Sequence, residues 1–236
     1  MTAPIFSNQS IPKIAKIGFA GLLSLILLPV SEKSASASLV ALPTDLLPFL
    51  LIVAQETLIG VLIGFVSNMI FMAAGMAAST MGLQIGFRTA NLFDPFINVP
   101  TSALEQFYTL MAVALFLTIN GHHWLVRAIV RTFDIAPLGT FVLNNVTLEH
   151  LVSLTNEIFI AAIRIALPVV GTLLLTDLGL GLVARAVPQI QVFFLGLPLK
   201  IGLGLITLAF TLALTLPLIK ELFLETVVNI LAIGSQ

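Results

Sequence analysis

The stretch TLIGVLIGFVSNMIFMAAGMAASTMGLQIGF, which runs from Thr57 to Phe87, contains no charged side chain. A transmembrane helix needs about 20 predominantly apolar residues, so this stretch is longer than one upright span. Its many glycine, alanine and methionine residues are typical of a helix that packs closely against other helices. The stretch therefore predicts a long tilted helix, or a bent pair of helices, inside a membrane.

The composition of the whole chain also indicates a membrane protein. Of its 236 residues, 58% are apolar and 9% are charged, whereas roughly 25% of the residues in a soluble domain are charged. The 10 basic and 11 acidic residues give a net charge of −1. They form no clustered basic face of the kind that binds nucleic acid, so nucleic acid is excluded as a partner. The sequence has no cysteine, which excludes disulfides and thiolate chemistry.

Three further charge-free runs extend over Ile17–Val30, Gln106–Val126 and Ile201–Ile219. The last two have the length of single, simple spans. Between Ile158 and Leu199, by contrast, charges and prolines interrupt the apolar sequence, which predicts short or broken helices there. The interrupting residues are Arg164, Pro168, Asp177, Arg185, Pro188 and Pro198.

Four charged residues, Glu56, Arg164, Asp177 and Arg185, lie within or beside apolar sequence. A charge at the centre of a lipid-facing helix costs at least about 2.5 kcal/mol, so these side chains should face protein or water. They fit either a substrate or proton path, or a set of ion pairs and subunit contacts. The second interpretation is favoured because the sequence does not place paired carboxylates on one helix face.

The sequence contains no motif of a known catalytic or metal-binding class, and we expect neither enzymatic activity nor a cofactor nor a metal. His122 and His123 are adjacent and would point roughly 100° apart on a helix, which favours a helix-end position at an interface over chelation of one ion. The pairs Gly60/Gly64 and Gly82/Gly86 have the spacing of close helix packing. The second pair could instead leave the helix and border a lumen.

Several motifs occur together in the chain: Ala3–Phe6, Gly82–Phe87, Phe93–Pro95, Phe116–His122, Ala184–Phe193 and Gly196–Lys200. In their order and spacing the chain resembles the FliR family of flagellar export-gate proteins, whose relatives serve virulence type III secretion systems. The resemblance extends over nearly the whole sequence. The elements Asn120-Gly121-His122 and Asp94-Pro95 favour the flagellar branch.

This resemblance implies an all-α, polytopic integral membrane protein with long tilted and broken helices that form hairpins within a helical export-gate assembly. The implied partners are FliP-like and FliQ-like membrane subunits, FlhB-like and FlhA-like export components, and unfolded export substrates. The implied role is to line and gate the pore through which unfolded flagellar proteins are exported. The implied location is the bacterial inner membrane, at the flagellar basal body.

The resemblance also divides the chain into three parts. Residues 1–126 form an N-terminal helical part, residues 127–154 an amphipathic or loop-rich link, and residues 155–236 a FliQ-like helical hairpin. Met1 falls close to the end of the family's usual first helix, so either the start codon is misassigned or this chain lacks that helix.

Two groups of functional residues follow from the resemblance. The segment near 88–100 corresponds to a plug in the closed pore, whereas from the sequence alone a packed connecting loop is equally compatible. The residues predicted to plug or gate the pore are Phe87, Arg88, Leu92, Phe93, Asp94, Pro95, Phe96 and Asn98. The residues predicted to contact other subunits are Asp177, Arg185, Pro188, Gln189, Gln191, Pro198 and Lys200.

The alternative hypothesis is a secondary transporter for a small solute. Glu56, Asp177 and Arg185 would then line a site near the middle of the membrane, between broken helices. A transporter of this kind is expected to show inverted repeats, and the sequence shows none. The export-gate hypothesis is therefore preferred.

Overall fold

The computed structural model describes residues 12–35, 45–87, 102–135, 139, 144–189 and 191–234. Its regular secondary structure across these ranges is helical, so the predicted all-α fold is confirmed. The helices are α1 (Lys13–Ala35), α2 (Leu46–Ile85), α3 (Ala103–Thr118), α4 (Gly121–Ile135), α5 (Asn145–Ala186) and α6 (Val192–Gly234).

Several of these helices are long and apolar enough to cross a membrane. Within the described part of the chain, 3 segments qualify: Leu46–Ile85, Asn145–Ala186 and Phe194–Thr226. Helix α3 and the segment Gly121–Phe133 of α4 add a fourth if this bent pair counts as one span. The prediction of a polytopic membrane protein is confirmed.

The charge-free stretch that opens at Thr57 lies in one continuous helix of 40 residues, α2, rather than in a bent pair. The predicted breaks between Ile158 and Leu199 are wrong in part, because α5 continues through Pro168 for 42 residues. Proline removes one backbone donor, but a long membrane helix tolerates this loss when nearby groups form hydrogen bonds with the backbone. The group that loses its helical donor is the carbonyl of Arg164, four residues before Pro168.

The prediction that Gln106–Val126 forms a simple, unbroken span is also wrong. The chain breaks after Thr118, and α3 and the start of α4 are bent by 68°. Asn120 has a positive φ of 57°, which ends the regular helix. A Cβ atom on Gly121 would overlap the ring of Phe116, so only glycine fits where α4 begins.

The described residues group into two compact units, each drawn from separate parts of the chain. The first unit takes residues from Met1–Ile70, Phe116–Asn156 and Leu222–Gln236, and the second from Phe71–Leu115 and Glu157–Glu221. The predicted division at 126/127 falls inside α4, and that at 154/155 inside α5. The three-part division stays a prediction.

In the first unit, α1 packs against α4. The buried residues Ile59, Ile63, Val66 and Ile70 have the spacing of one face of α2. The rings of Phe116 and Phe223 lie 5.3 Å apart and join the end of α3 to α6. Helix α5 begins where the side chain of Asn144 accepts a hydrogen bond from the backbone N–H of Thr147 at 2.8 Å, which is an N-cap.

In the second unit, the buried face of α2 consists of small residues and then larger ones. Ala74, Ala77 and Ala78 are fully buried, and Met81 and Ile85 follow them toward the end of the helix. Small side chains let helix backbones approach closely. Ile85 also packs against Gly204 of α6, where a Cβ atom would lie 2.6 Å from Cγ1 of the isoleucine.

Threonine hydroxyls within α5 and α6 form hydrogen bonds to the carbonyl groups of their own helix. Each donates to a carbonyl three or four residues earlier, at 2.8 to 3.0 Å. The polar group therefore has a partner inside its own helix. The residues are Thr155, Thr172 and Thr176 in α5 and Thr207, Thr211, Thr215 and Thr226 in α6.

Candidate functional site

Helices α5 and α6 form an antiparallel hairpin in the second unit. Nζ of Lys200 lies 2.9 Å from Oδ2 of Asp177, and a Cβ atom on Gly196 would lie 3.2 Å from Leu180. Both pairs are spaced about equally on either side of Pro188, as expected for two helices that reverse direction there. Pro188 and Gln189 form the turn between them, since proline has no N–H to extend α5.

A cluster that we call the polar anchor joins three helices in this unit: Gln84 of α2, Asp177 of α5 and Lys200 of α6. Oδ2 of Asp177 accepts a hydrogen bond from Nζ of Lys200 at 2.9 Å and one from Nε2 of Gln84 at 3.1 Å. The side chains of Lys200 and Asp177 are 20% and 42% exposed. The paired charges cancel, and hydrogen bonds to an ionised group are stronger than neutral ones. The anchor therefore fixes the end of α2 on the hairpin.

The sequence analysis did not select Gln84 as a functional residue. The available signal was its position as a hydrogen-bonding side chain near the end of the long charge-free stretch. Because a buried amide needs partners, a glutamine among apolar residues predicts a polar neighbour from another helix.

Helix α2 ends just after the anchor, and α3 starts close to that end. Gly86 has φ of 100°, and the N–H of Phe87 donates to the carbonyl of Gly82 at 3.0 Å, which is a glycine C-cap. A Cβ atom on Gly82 would lie 3.1 Å from Oγ of Ser102. That oxygen accepts the N–H of Glu105 at 3.2 Å and caps α3. The N-cap of α3 therefore lies in contact with the last turns of α2.

Among the residues predicted to gate the pore, the structure describes Phe87, which follows the glycine cap and is 38% exposed. The others fall in the segment between Phe87 and Ser102 and lie outside the described residues. They are Arg88, Leu92, Phe93, Asp94, Pro95, Phe96 and Asn98.

The residues predicted to contact other subunits fall into two groups. Asp177 and Lys200 pair with each other inside the chain, in the polar anchor. The remaining five are all exposed, and the described part of the chain offers the polar side chains among them no hydrogen-bond partner. These five are Arg185, Pro188, Gln189, Gln191 and Pro198. Contact with another subunit stays a prediction for both groups.

The two other charged residues within or beside apolar sequence, Glu56 and Arg164, differ in whether they have a partner in the described part of the chain. Oε1 of Glu56, in the first unit, accepts the backbone N–H of Gly139 at 2.9 Å. Arg164 is exposed on α5, and within the described ranges it has no ion-pair partner. The residues assigned to a solute site by the transporter hypothesis thus include two carboxylates, Glu56 and Asp177, each with its own partner in the chain.

His122 and His123 are exposed in the first turn of α4, with ring centroids 4.3 Å apart. Their position agrees with the expectation of a helix-end pair. Across the residues that the structure describes, no group of three or more His, Asp or Glu side chains could hold a metal ion.

Residues 1–226 match the family described as Bacterial export proteins, family 1. The chain belongs to this family. Among curated proteins, this family member is 34% identical to the flagellar biosynthetic protein FliR of Escherichia coli (strain K12), over 98% of the chain and 86% of that protein. It is 31% identical to FliR of Bacillus subtilis (strain 168), over 99% of the chain and 90% of that protein. The predicted resemblance to the FliR family is confirmed, and the solute-transporter alternative is not favoured.

Proposed function

We propose that the chain is a subunit of the flagellar protein export gate in the bacterial inner membrane. The observation that carries this proposal is the family match over residues 1–226, together with similarity to FliR proteins along almost the entire chain. The helices that are long and apolar enough to cross a membrane support this location. In this role it conducts unfolded flagellar proteins, while the driving energy comes from other components.

Deletion of the gene in the bacterium that encodes the chain tests this proposal. We expect loss of secreted filament protein and loss of motility, both restored by a plasmid copy. Growth and solute uptake should remain unchanged. Intact flagella together with a defect in uptake of one solute would instead support the transporter hypothesis and contradict the export-gate proposal.

The proposed partners are FliP-like and FliQ-like subunits, joined by FlhB-like and FlhA-like components at the flagellar basal body. Arg164 and Arg185 support a need for partners, because both are exposed on a helix that is apolar enough to span a membrane. An isolated arginine facing lipid is costly. A partner subunit that supplies an acceptor, or a water-filled path, would remove this cost.

We propose that the hairpin turn is one of the subunit contacts. Pro188, Gln189 and Gln191 present exposed groups where α5 gives way to α6. Replacing Gln189 with leucine should reduce co-purification of the partner subunits and reduce motility. Gln106→Leu is the matched control, because Gln106 is an equally polar, exposed residue on α3. Equal co-purification and motility in the two variants would contradict the proposal.

We also propose that the segment near 88–100 obstructs the pore when no substrate is present. The support is the resemblance, together with the close approach of Gly82 and Ser102, which brings the two ends of the segment together. Deleting Asn91–Asn98 should leave the gate assembled but raise ion conductance across membranes that contain it. The control replaces the same residues with a glycine and serine linker of equal length. If conductance of both assembled variants equals that of the intact gate, the segment is an ordinary connector.

A further inference from the structure

Helix α4 has two different faces. The exposed residues His123, Arg127 and Arg131 are spaced four apart and form one basic stripe. Ala128 and Thr132 are buried on another side of the helix, and α1 packs against α4. A short helix with one basic and one apolar face is typical of a segment that lies at a membrane surface.

An apolar cleft opens beside this helix in the first unit. Together with the solvent space at its open mouth, it contains about 380 Å³ free of protein atoms. Although two of its residues carry hydroxyls, the surface that the cleft presents is apolar. Ser67 shows why, because its hydroxyl donates to the carbonyl of Ile63 at 2.6 Å. The lining residues are Ser67, Phe116, Ile119, Gly121, Trp124, Leu125, Phe223, Leu224 and Thr226.

Trp124 connects the cleft to the basic stripe. Its side chain lines the cleft and is 44% exposed. The guanidinium of Arg127 lies over the same indole, 5.7 Å from the ring centroid, within cation–π range. The indole of Trp124 therefore lies between the apolar surface of the cleft and the positive charge of Arg127. Tryptophan and arginine in this arrangement are typical of the boundary between lipid tails and headgroups.

We propose that the cleft and the basic stripe together bind an anionic phospholipid. An acyl chain lies along the cleft, and the phosphate binds Arg127 and Arg131. The complementarity is both apolar and electrostatic, as lipid recognition by basic amphipathic helices requires. A peptide fits this cleft poorly because its backbone N–H and C=O groups would meet apolar atoms and lose their hydrogen bonds. Two carboxylates stand near the site in sequence, Glu225 beside two lining residues and Asp134 three positions after Arg131. The phosphate contact therefore depends most on Arg127, which lies over the lining residue Trp124.

The chain carries its own probe for this site. Its single tryptophan is Trp124, so the intrinsic tryptophan fluorescence of the purified chain comes from the cleft alone. The full chain is placed in bilayers of phosphatidylcholine that contain dibrominated phosphatidylglycerol or, at the same mole fraction, dibrominated phosphatidylcholine. Bromine on the acyl chains quenches an indole that touches them. We expect stronger quenching by the anionic lipid.

Variants test whether the arginines cause the preference. Arg127→Gln and Arg131→Gln should each lower the relative affinity for the anionic lipid about fivefold, the size expected for one basic residue at an anionic surface. The preference should also weaken as salt is raised. Lys220→Gln is the matched control, since Lys220 is an exposed cation of the second unit. This control should keep the preference of the unaltered chain.

A second measurement covers the assembled complex, in which partner subunits bring their own tryptophans. The difference in quenching between the complex and its Trp124→Phe variant gives the quenching of Trp124 alone. Equal quenching by the two brominated lipids, or no quenching of Trp124 by either, would overturn the proposal. Loss of a partner subunit in the Arg127→Gln complex, with Trp124 shielded from bromine, would assign the surface to a protein instead.

Discussion

The hairpin of α5 and α6 and the short helix α4 both carry charge in a mostly apolar chain, but they neutralise it differently. In the hairpin, Asp177 receives Lys200 and Gln84, so the charge is compensated inside the chain. On α4, the guanidinium of Arg127 lies over Trp124, and Arg131 is exposed with no acidic partner in the described residues.

This difference separates charges that specify the fold, because they are paired inside the chain, from exposed charges that need a partner outside it. An internally paired charge fixes how helices pack, because removing one member leaves the other without compensation. An exposed arginine contributes little to the stability of the chain itself. Arg164 and Arg185 are exposed on α5 and therefore resemble the arginines of α4. The following substitutions test this distinction between internally paired and exposed charges.

The largest effect is expected for Asp177→Ala, which removes the acceptor of the polar anchor. Lys200 and Gln84 would then lose their common partner, and the free energy of unfolding in mild detergent should fall by about 2.5 kcal/mol, the value for two hydrogen bonds to an ionised group reduced because Asp177 is partly exposed. Chemical denaturation of the purified chain or complex measures this. Lys220→Ala, a change at an exposed lysine on α6, should cost far less. Comparable losses in both variants would show that the anchor does not stabilise the hairpin.

A smaller effect is expected for Gly204→Ala, which tests packing in the hairpin rather than its charges. The new methyl group would meet Cγ1 of the buried Ile85 at 2.6 Å, and overpacking of this kind should cost about 2 kcal/mol. Gly202, two residues earlier, has nothing within 4 Å of its Cβ position. Gly202→Ala should therefore be neutral or stabilise α6 by up to about 1 kcal/mol. Equal melting temperatures for the two variants would contradict the contact between α2 and α6.

Gln84→Leu should cost about 1 kcal/mol, because it removes one hydrogen bond and leaves the ion pair of Asp177 and Lys200 in place. A double-mutant cycle with Asp177→Ala separates the two contributions. The glutamine change should have little further effect once the aspartate is gone. Full additivity of the two losses would mean that Gln84 acts independently of the anchor.

The smallest effect on the isolated chain is expected for Arg164→Ala, within about 0.5 kcal/mol, since the exposed guanidinium has no described partner to lose. In the assembled complex the same change should lower the yield of partner subunits. A large loss of stability in the isolated chain would place Arg164 with the internally paired charges, and the comparison between the two regions would fail.

The sequence predicted the helical class and the long apolar segments because charge-free length is a local property. The prediction failed where the outcome depends on neighbouring groups. Pro168 was expected to break its helix, but α5 continues through it although the carbonyl of Arg164 loses its helical donor. Asn120 was not expected to divide a span, yet its positive φ does so at a site that carries no charge or proline.

The candidate site was predictable only in part for the same reason. Asp177 was selected as a charge within apolar sequence and Lys200 through the resemblance, but neither argument could pair them, because their contact depends on how two helices align. The turn at Pro188 was readable, since proline lacks the donor that a helix needs. Gln84 was missed because one amide in an apolar stretch does not reveal which helix will supply its partner.

The threonines of α5 and α6 bear on the order of biogenesis. Because Thr172, Thr176, Thr207 and Thr211 each donate to a carbonyl of their own helix, these hydroxyls are satisfied before any neighbour is present. A helix of this kind has the same hydrogen bonds in lipid, in contact with another subunit, or beside water. These threonines therefore do not oppose entry of α5 and α6 into lipid, and lipid around them can later be exchanged for protein without breaking their hydrogen bonds.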